Sequence, residues 1–590
     1  MNKMNYKLNN QEEEKTGFVN TIKGFGKFIG GELRPLILAL LFVIISSVSS
    51  IVGPKVQGDA LDDLLKNRDL NNLLGFVLLM AVVYVIGAIA SYGQILVTGR
   101  LGQRVLFKLR SSVFNKLQSL PLAFFNANRG GDLISRINND TDKVNSFLSE
   151  YLIRLIGSVF VLVGIAISML LLNVELALLT LSVTLILFII TQVVSPLLKR
   201  LNRVSLDATG NLSSQIQEGL SAFKVIIAFD RRDYFEDRFQ EYNEKNYLAS
   251  VKADIANQSL KPIYDLASNA AQIIVIVYGL TLIKEGNLTF GILFTFFTYT
   301  QRFYDPLRII ASIWSNVQLA MAAWSRIQEI QNMNSNLKVI EDTMDHSSEP
   351  VNDIVTFKDV SFGYDIDNPI LKNINIELEK GKTYALVGPT GGGKSTTAAL
   401  MARLYDPTSG IVEFYNRDIR SYSSEELSSK IGFILQDPLL FTGKVGENIK
   451  YGNPELENLD NEALYNELKK IGLEKFIDKF EKGLDTEINN NAENISLGQK
   501  QIISFIRTIL RKPELLILDE ATANIDTVTE ELLQDIINKL PEDTAKVIIA
   551  HRLNTIKKAD QIFFVNSGKI DKAKDYENVQ DMILSQKINS

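Results

Sequence analysis

The sequence predicts a two-part membrane protein: an all-α half of six transmembrane helices with long cytoplasmic helical extensions, then an α/β half built around a glycine-rich phosphate loop. Two observations carry this. A helix needs roughly 20 apolar residues to cross a bilayer, and the stretches near 36–57, 73–97, 152–172, 175–198, 262–284 and 289–312 qualify. One or two such runs fit the buried helices of a soluble protein, but a series does not. In the second half the β-rich run TYALVG leads into GPTGGGKST (Gly388 to Thr396) and then the helix-prone AALMARLY. That is the strand, loop and helix order a phosphate-binding loop requires.

At 590 residues the chain is too long for one core. Its net charge of -6 gives no bulk attraction to nucleic acid. Without cysteine there are no disulfides, thiol catalysis or thiolate metal sites, and two histidines, His346 and His551, make no histidine-rich metal centre. The start, MNKMNYKLNNQEEEKTG, is polar and lacks the apolar core of a cleaved signal, so the first span itself directs insertion.

Ahead of that span, Phe18, Ile22, Phe25 and Ile29 recur at helical spacing among Lys15, Lys23 and Lys27. This fits an amphipathic helix at the membrane surface or a cytosolic packing helix. Between spans two and three lie Arg100, Arg104, Lys108, Arg110, Lys116, Arg129, Arg136 and Lys143, and between four and five Lys199, Arg200, Arg203, Arg231, Arg232 and Arg238. Those segments therefore face the cytoplasm, with both termini on the same side. They continue the apolar periodicity of their flanks and are read as helical extensions. Charged residues inside the spans are few, chiefly Arg154, Asp265, Arg302 and Asp305. Asp305, before Pro306, is a candidate for a watery cavity, or it pairs with Arg302 three residues earlier. Phe294, Phe296, Phe297, Tyr299, Phe303 and Tyr304 make the sixth span aromatic, which suits a greasy substrate or simple packing.

The segment 331–353 is a polar linker containing His346, and the second domain begins at Ile354. Gly388, Gly391, Gly392 and Gly393 let the loop curl its N–H groups, with that of Thr390, around phosphates, and the helix after it offers its positive end. Lys394 reaches the β- and γ-phosphates, the Ser395 hydroxyl ligates Mg²⁺, and Thr396 completes the motif. The apolar run Leu515 to Leu518 reads as a buried strand that delivers Asp519 and Glu520 to the same phosphates. Asp519 is placed to hold Mg²⁺ through water, and an ionised Glu520 can polarise an attacking water.

ILQDP (Ile434 to Pro438), ISLGQK (Ile495 to Lys500), LLILDE (Leu515 to Glu520) and AHR (Ala550 to Arg552) follow the loop in an order that resembles the nucleotide-binding domain of ATP-binding cassette (ABC) transporters. The resemblance covers nearly the whole chain. It implies a membrane domain at 1–330, a linker at 331–353 and a nucleotide-binding domain at 354–590, as in the half-transporters of heterodimeric bacterial multidrug exporters. It implies that Gln436 touches Mg²⁺ and the water, that Tyr364 stacks on adenine, that His551 meets the γ-phosphate, that Glu520 is the general base and that Asp526 is the D-loop aspartate. It makes FFNANRGGDLISRINND (Phe124 to Asp140) and EGLSAFKVIIAFDRR (Glu218 to Arg232) similar to coupling segments. Phe125 and Phe229 are then knobs against a nucleotide domain, or pins between helices.

Three departures stand out. Ala523, Asn524 and Ile525 replace the usual residues before Asp526, and asparagines replace the Gly-Glu-Arg-Gly portion of the loop after Thr486 and Glu487. The family's signature reads LSGGQ, and Leu497 stands where its first glycine belongs. Ser496, Gly498 and Gln499 keep the parts expected to contact a γ-phosphate across a dimer, since each family site pairs one chain's phosphate loop with the other's signature. A branched side chain at that approach weakens the opposing site. The resemblance therefore implies a heterodimer whose other chain carries an intact signature and a degenerate catalytic carboxylate. A homodimer tolerating the substitution is the other reading. The expected activity is ATP- and Mg²⁺-dependent export of small amphipathic or hydrophobic compounds across the bacterial cytoplasmic membrane, with no nucleic-acid partner. Lipid flipping, peptide export and a membrane-anchored ATP sensor are the alternatives.

Overall fold

A computed structural model describes residues 6–8, 26, 30–67, 70–335, 337–341, 352–365, 368–519, 527–549, 556, 558–573 and 577. The surface helix expected around Phe18 to Ile29 and the linker histidine His346 lie outside these residues. The chain forms two compact units: Asn9–Gln118 with Gly130–Asn332, and Met1–Leu8 with Ser119–Arg129 and Met333–Ser590.

The first unit is helical: α1 (Leu33–Asn67), α2 (Leu70–Gln118), α4 (Gly130–Leu172), α5 (Val174–Ser221), α6 (Phe223–Ala228), α7 (Arg232–Lys284) and α8 (Phe290–Asn332). The short helix α3 (Leu122–Ala127) belongs to the second unit. Helices α2 and α5 run 49 and 48 residues. At 1.5 Å per residue each is about 70 Å long, more than twice the thickness of a hydrocarbon core. The expected extensions are thus the same helices as the spans. Only Asn173 separates α4 from α5, and its side chain caps α5 by accepting from Leu176 N at 3.0 Å.

Among the described residues five helices are long and apolar enough to cross a membrane, and they turn residues such as Leu78, Ile95, Leu185 and Ile273 outward, where only lipid makes such exposure favourable. The expected sixth span, α8, is a helix of 43 residues but a less apolar one, because Gln301, Arg302, Asp305 and Arg308 fall within it. Two further expectations change here. Asp305 pairs with Arg308 at 3.1 Å and stays largely exposed, while Arg302 donates to Ser50 O at 3.0 Å and Ser50 Oγ at 3.1 Å. The cause is Pro54 inside α1, which has no N–H for the carbonyl four residues earlier. Phe296, Tyr299, Phe303 and Tyr304 are buried in the helix core instead of lining a cavity, and Tyr299 Oη donates to Ile51 O at 2.8 Å. The packing alternative accounts for these four.

Helix α4 contains two π turns, Arg136–Asp140 and Phe147–Tyr151. The first buries a charged network. Arg136, fully buried, donates to Asp132 at 3.0 Å, Glu329 at 2.7 Å and Arg326 O at 2.9 Å, and Asp140 accepts from Arg326 Nε at 2.7 Å. Arg136→Ala leaves a cavity and two carboxylates without their partner. It is expected to destabilise the helical unit by about 3 kcal/mol, with Arg136→Met costing less, as read by thermal unfolding.

In the second unit a six-stranded sheet runs in the order β12 (Lys569–Ala573), β11 (Gln561–Asn566), β3 (Thr383–Val387), β10 (Ala545–Ile549), β9 (Leu515–Asp519), β6 (Ile431–Ile434). All its neighbours are parallel except β11 and β12. An antiparallel sheet, with the order β2 (Leu371–Glu379), β1 (Asp353–Phe362), β4 (Ser409–Phe414), β5 (Arg417–Asp418), shares a core with it. The linker is tied down at two points: Arg403 donates to Lys338 O at 3.0 Å and Ile340 N to Arg420 O at 3.1 Å.

Candidate functional site

Strand β3 is buried on both faces, so its chain emerges only at its C-terminal end, where Gly388 begins the loop. Gly388 has φ 149° and Gly393 φ 113°, conformations that disfavour a side chain, and a Cβ on Gly388 would lie 2.0 Å from Val565 O. Gly393 then starts helix α9 (Lys394–Met401), whose first turn directs its N–H groups out of the helix start, the arrangement that suits an anion. The helix stops at Met401, halfway through the AALMARLY run, because Arg403 takes a left-handed conformation. Thr390 and Gly391 lie exposed at the loop tip, and Gly392 packs beneath it.

Lys394 folds its ammonium back over the loop, donating to Gly388 O at 2.9 Å and Pro389 O at 3.0 Å. The Ser395 hydroxyl donates to Asp519 Oδ1 at 3.2 Å. Register explains the convergence. Ile434 of β6 lies opposite Leu518 of β9, and Asp519 opposite Ile549 of β10, whose neighbour on the other side is β3. Gln436, exposed two residues past β6, therefore leaves the sheet beside Asp519, at the crevice where open parallel sheets hold ligands. Strand β10 ends two residues before His551, and β9 one residue before Glu520. Glu520, His551 and Asp526 themselves lie outside the described residues.

Tyr364 is 58% exposed, with its hydroxyl 3.4 Å from Thr396 Oγ1. Its ring meets Phe362 at 5.2 Å and Tyr405 at 5.1 Å, both edge-on, so one face stays open for a flat partner. Sequence reasoning missed Tyr405, whose role depends on a fold contact and carries no local signal. Burial pushes its hydroxyl above the usual phenol range, against a hydrogen bond from Asn126, so it stays neutral.

Ser496 and Gln499 form a capping box on helix α10 (Leu497–Ile509): Ser496 Oγ accepts from Gln499 N at 3.3 Å, and Gln499 Oε1 from Ser496 N at 3.0 Å. Gln499 Nε2 donates to Lys479 O at 2.9 Å. The bonds of this cap thus run to its own helix and to the backbone at Lys479. Leu497 sits in the first turn with ordinary helical backbone, 37% exposed, and Gly498 follows it. A leucine in place of glycine therefore has no conformational cost here. The asparagines after Glu487 fold that loop on itself, with Asn494 donating to Glu487 O at 2.7 Å and Asn491 at φ 63°, which asparagine tolerates.

A ring of amides, an ammonium and a hydroxyl beside a carboxylate suits a polyphosphate with a hard cation. The Ser395 hydroxyl and the Asp519 carboxylate are the hard oxygen donors that such an ion would take here.

Residues 36–307 match the ABC transporter transmembrane region, and residues 371–523 the ABC transporter family. The ABC transporter ATP-binding protein YfiC of Bacillus subtilis is 32% identical over 93% of this chain and 90% of its own length. A fatty acid ABC transporter ATP-binding/permease protein of Mycobacterium bovis is 31% identical over 83% of this chain and 77% of its own. The "Probable multidrug resistance ABC transporter ATP-binding/permease protein YheH" of Bacillus subtilis is 30% identical over 86% and 75%. With a helical membrane domain and an ATP-binding domain on one polypeptide, the chain belongs to the ABC transporters, as a membrane exporter that couples ATP hydrolysis to transport.

Proposed function

We propose that the chain is one half of a heterodimeric exporter of amphipathic or hydrophobic compounds, seated in the bacterial cytoplasmic membrane with its nucleotide domain and both termini inside. One observation supports the two-chain reading: the signature cap of Ser496 and Gln499 bonds to its own helix and to Lys479 O, while Ser395 and Asp519 meet at the strand ends. One chain supplies one phosphate loop and one signature, and Leu497 burdens only the site its signature completes. In this reading the phosphate loop Gly388 to Thr396 grips ATP, Tyr364 stacks on its base, and Ser395, Asp519 and Gln436 hold Mg²⁺. Glu520 activates water, His551 meets the γ-phosphate, and Ser496, Gly498, Gln499 and Asp526 face the partner's nucleotide.

A groove of about 210 Å³ bordered by Leu435, Leu439, Tyr451 and Arg507 gives the dimer a second point of attachment. The apolar tip carrying Phe229, 75% exposed, suits a groove of this kind on the other chain. The multidrug-named relative supports amphipathic substrates; the fatty-acid-named relative supports lipid-like cargo as the second reading. The test is efflux of a cationic fluorescent dye and of a fluorescent fatty acid from vesicles holding this chain, with and without a candidate partner. Efflux of the dye only with the partner is expected. Vigorous efflux by this chain alone would refute the heterodimer, and fatty acid efflux without dye efflux would shift the substrate class.

A further inference from the structure

We propose that Tyr405 and Asn126 are positioning residues that tie the base end of the bound nucleotide to the segment around α3, a linkage resting on the reading of Tyr364 as the adenine-stacking aromatic. Asn126 Nδ2 donates to Tyr405 Oη at 2.7 Å, although 279 residues separate them in sequence. The Tyr405 ring closes a triangle with Tyr364 at 5.1 Å and Phe362 at 5.5 Å, while Phe362 and Tyr364 stand 5.2 Å apart. A flat base on the open face of Tyr364 fixes that ring. An edge-on neighbour in contact cannot then reorient independently, so Tyr405 and its hydroxyl are fixed as well.

The segment is built to take up that restraint as a body. Phe124 is fully buried, its N–H bonded to Pro121 O at 3.0 Å, and it packs edge-on against Phe125 at 5.4 Å. Asn128 donates to Phe124 O at 2.7 Å and Tyr6 O at 2.8 Å, and accepts from Leu8 N at 3.0 Å. Tyr6 and Leu8 are themselves buried. Ser119–Arg129 also clusters with the nucleotide half and not with the helices it joins. The segment that links α2 to α4 thereby reads the base, at the opposite end of the nucleotide from the reacting phosphate. One neutral hydrogen bond makes the expected linkage a few-fold to about tenfold.

Hydrogen–deuterium exchange over residues 119–129 of the full-length chain tests this, comparing AMP-PNP with inorganic tripolyphosphate, which has the phosphates and no base. AMP-PNP is expected to slow exchange there several-fold more than tripolyphosphate. Tyr405→Phe, which keeps the ring, should erase that difference while changing AMP-PNP affinity less than about threefold. Exposed Asn126→Ala should do the same, and the double variant should add nothing. Equal protection by the two ligands, or a difference that survives both variants, overturns the linkage. Tyr364→Ala separates the underlying reading: unchanged AMP-PNP affinity in that variant refutes adenine stacking itself, whereas weakened affinity with intact base-dependent protection in Tyr405→Phe refutes only the role of Tyr405.

Discussion

Lys394→Ala is expected to lower ATP turnover by a factor of about a hundred or more, because a preorganised positive charge aimed at developing phosphate charge is among the largest single contributions to phosphoryl transfer. Lys394 is 6% exposed, and its ammonium is held by Gly388 O and Pro389 O. That placement makes the residue an internal strap of the loop as well as a phosphate contact. The fold should nevertheless survive, since Gly388 and Gly393 set the curl through their own backbone angles. Steady-state ATPase assays with thermal unfolding on the same sample check both halves. A variant that melts normally yet hydrolyses ATP at the parental rate would remove Lys394 from the site.

Leu497→Gly is expected to raise the ATPase of the chain purified without a partner, by about tenfold, if the side chain blocks close approach of backbone to the opposing phosphate. The structure sharpens this test. Leu497 has helical backbone in the first turn of α10, so glycine there relieves no strain and costs up to about 1 kcal/mol of helix propensity. A gain in turnover would therefore come from approach alone. If the variant stays as slow as the parent, bulk at the signature is not what limits the solitary chain.

Much of the site was legible because its parts are local. A buried run such as Leu515 to Leu518 can only be a short strand, and the residue after it must face the crevice. The glycines of the loop announce their backbone angles in the same way. Partners across the fold were not legible. Periodicity places Phe296, Tyr299 and Phe303 on one side of α8, but it does not say whether that side meets α1 or a cavity. Arg302 and Arg308 both stand three residues from Asp305, and Arg308 takes it because a proline on another helix has freed a carbonyl for Arg302. Asn126 and Tyr405 carry no shared pattern at all.

That freed carbonyl has a mechanical meaning. Sliding α8 along α1 by a single turn would strand both the guanidinium of Arg302 and the oxygen of Ser50, with Tyr299 leaving Ile51 and Asp62 leaving Gly291 N in the same stroke. The two helices are latched as one strut, so whatever rearrangement carries cargo outward must pivot around this pair instead of shearing through it.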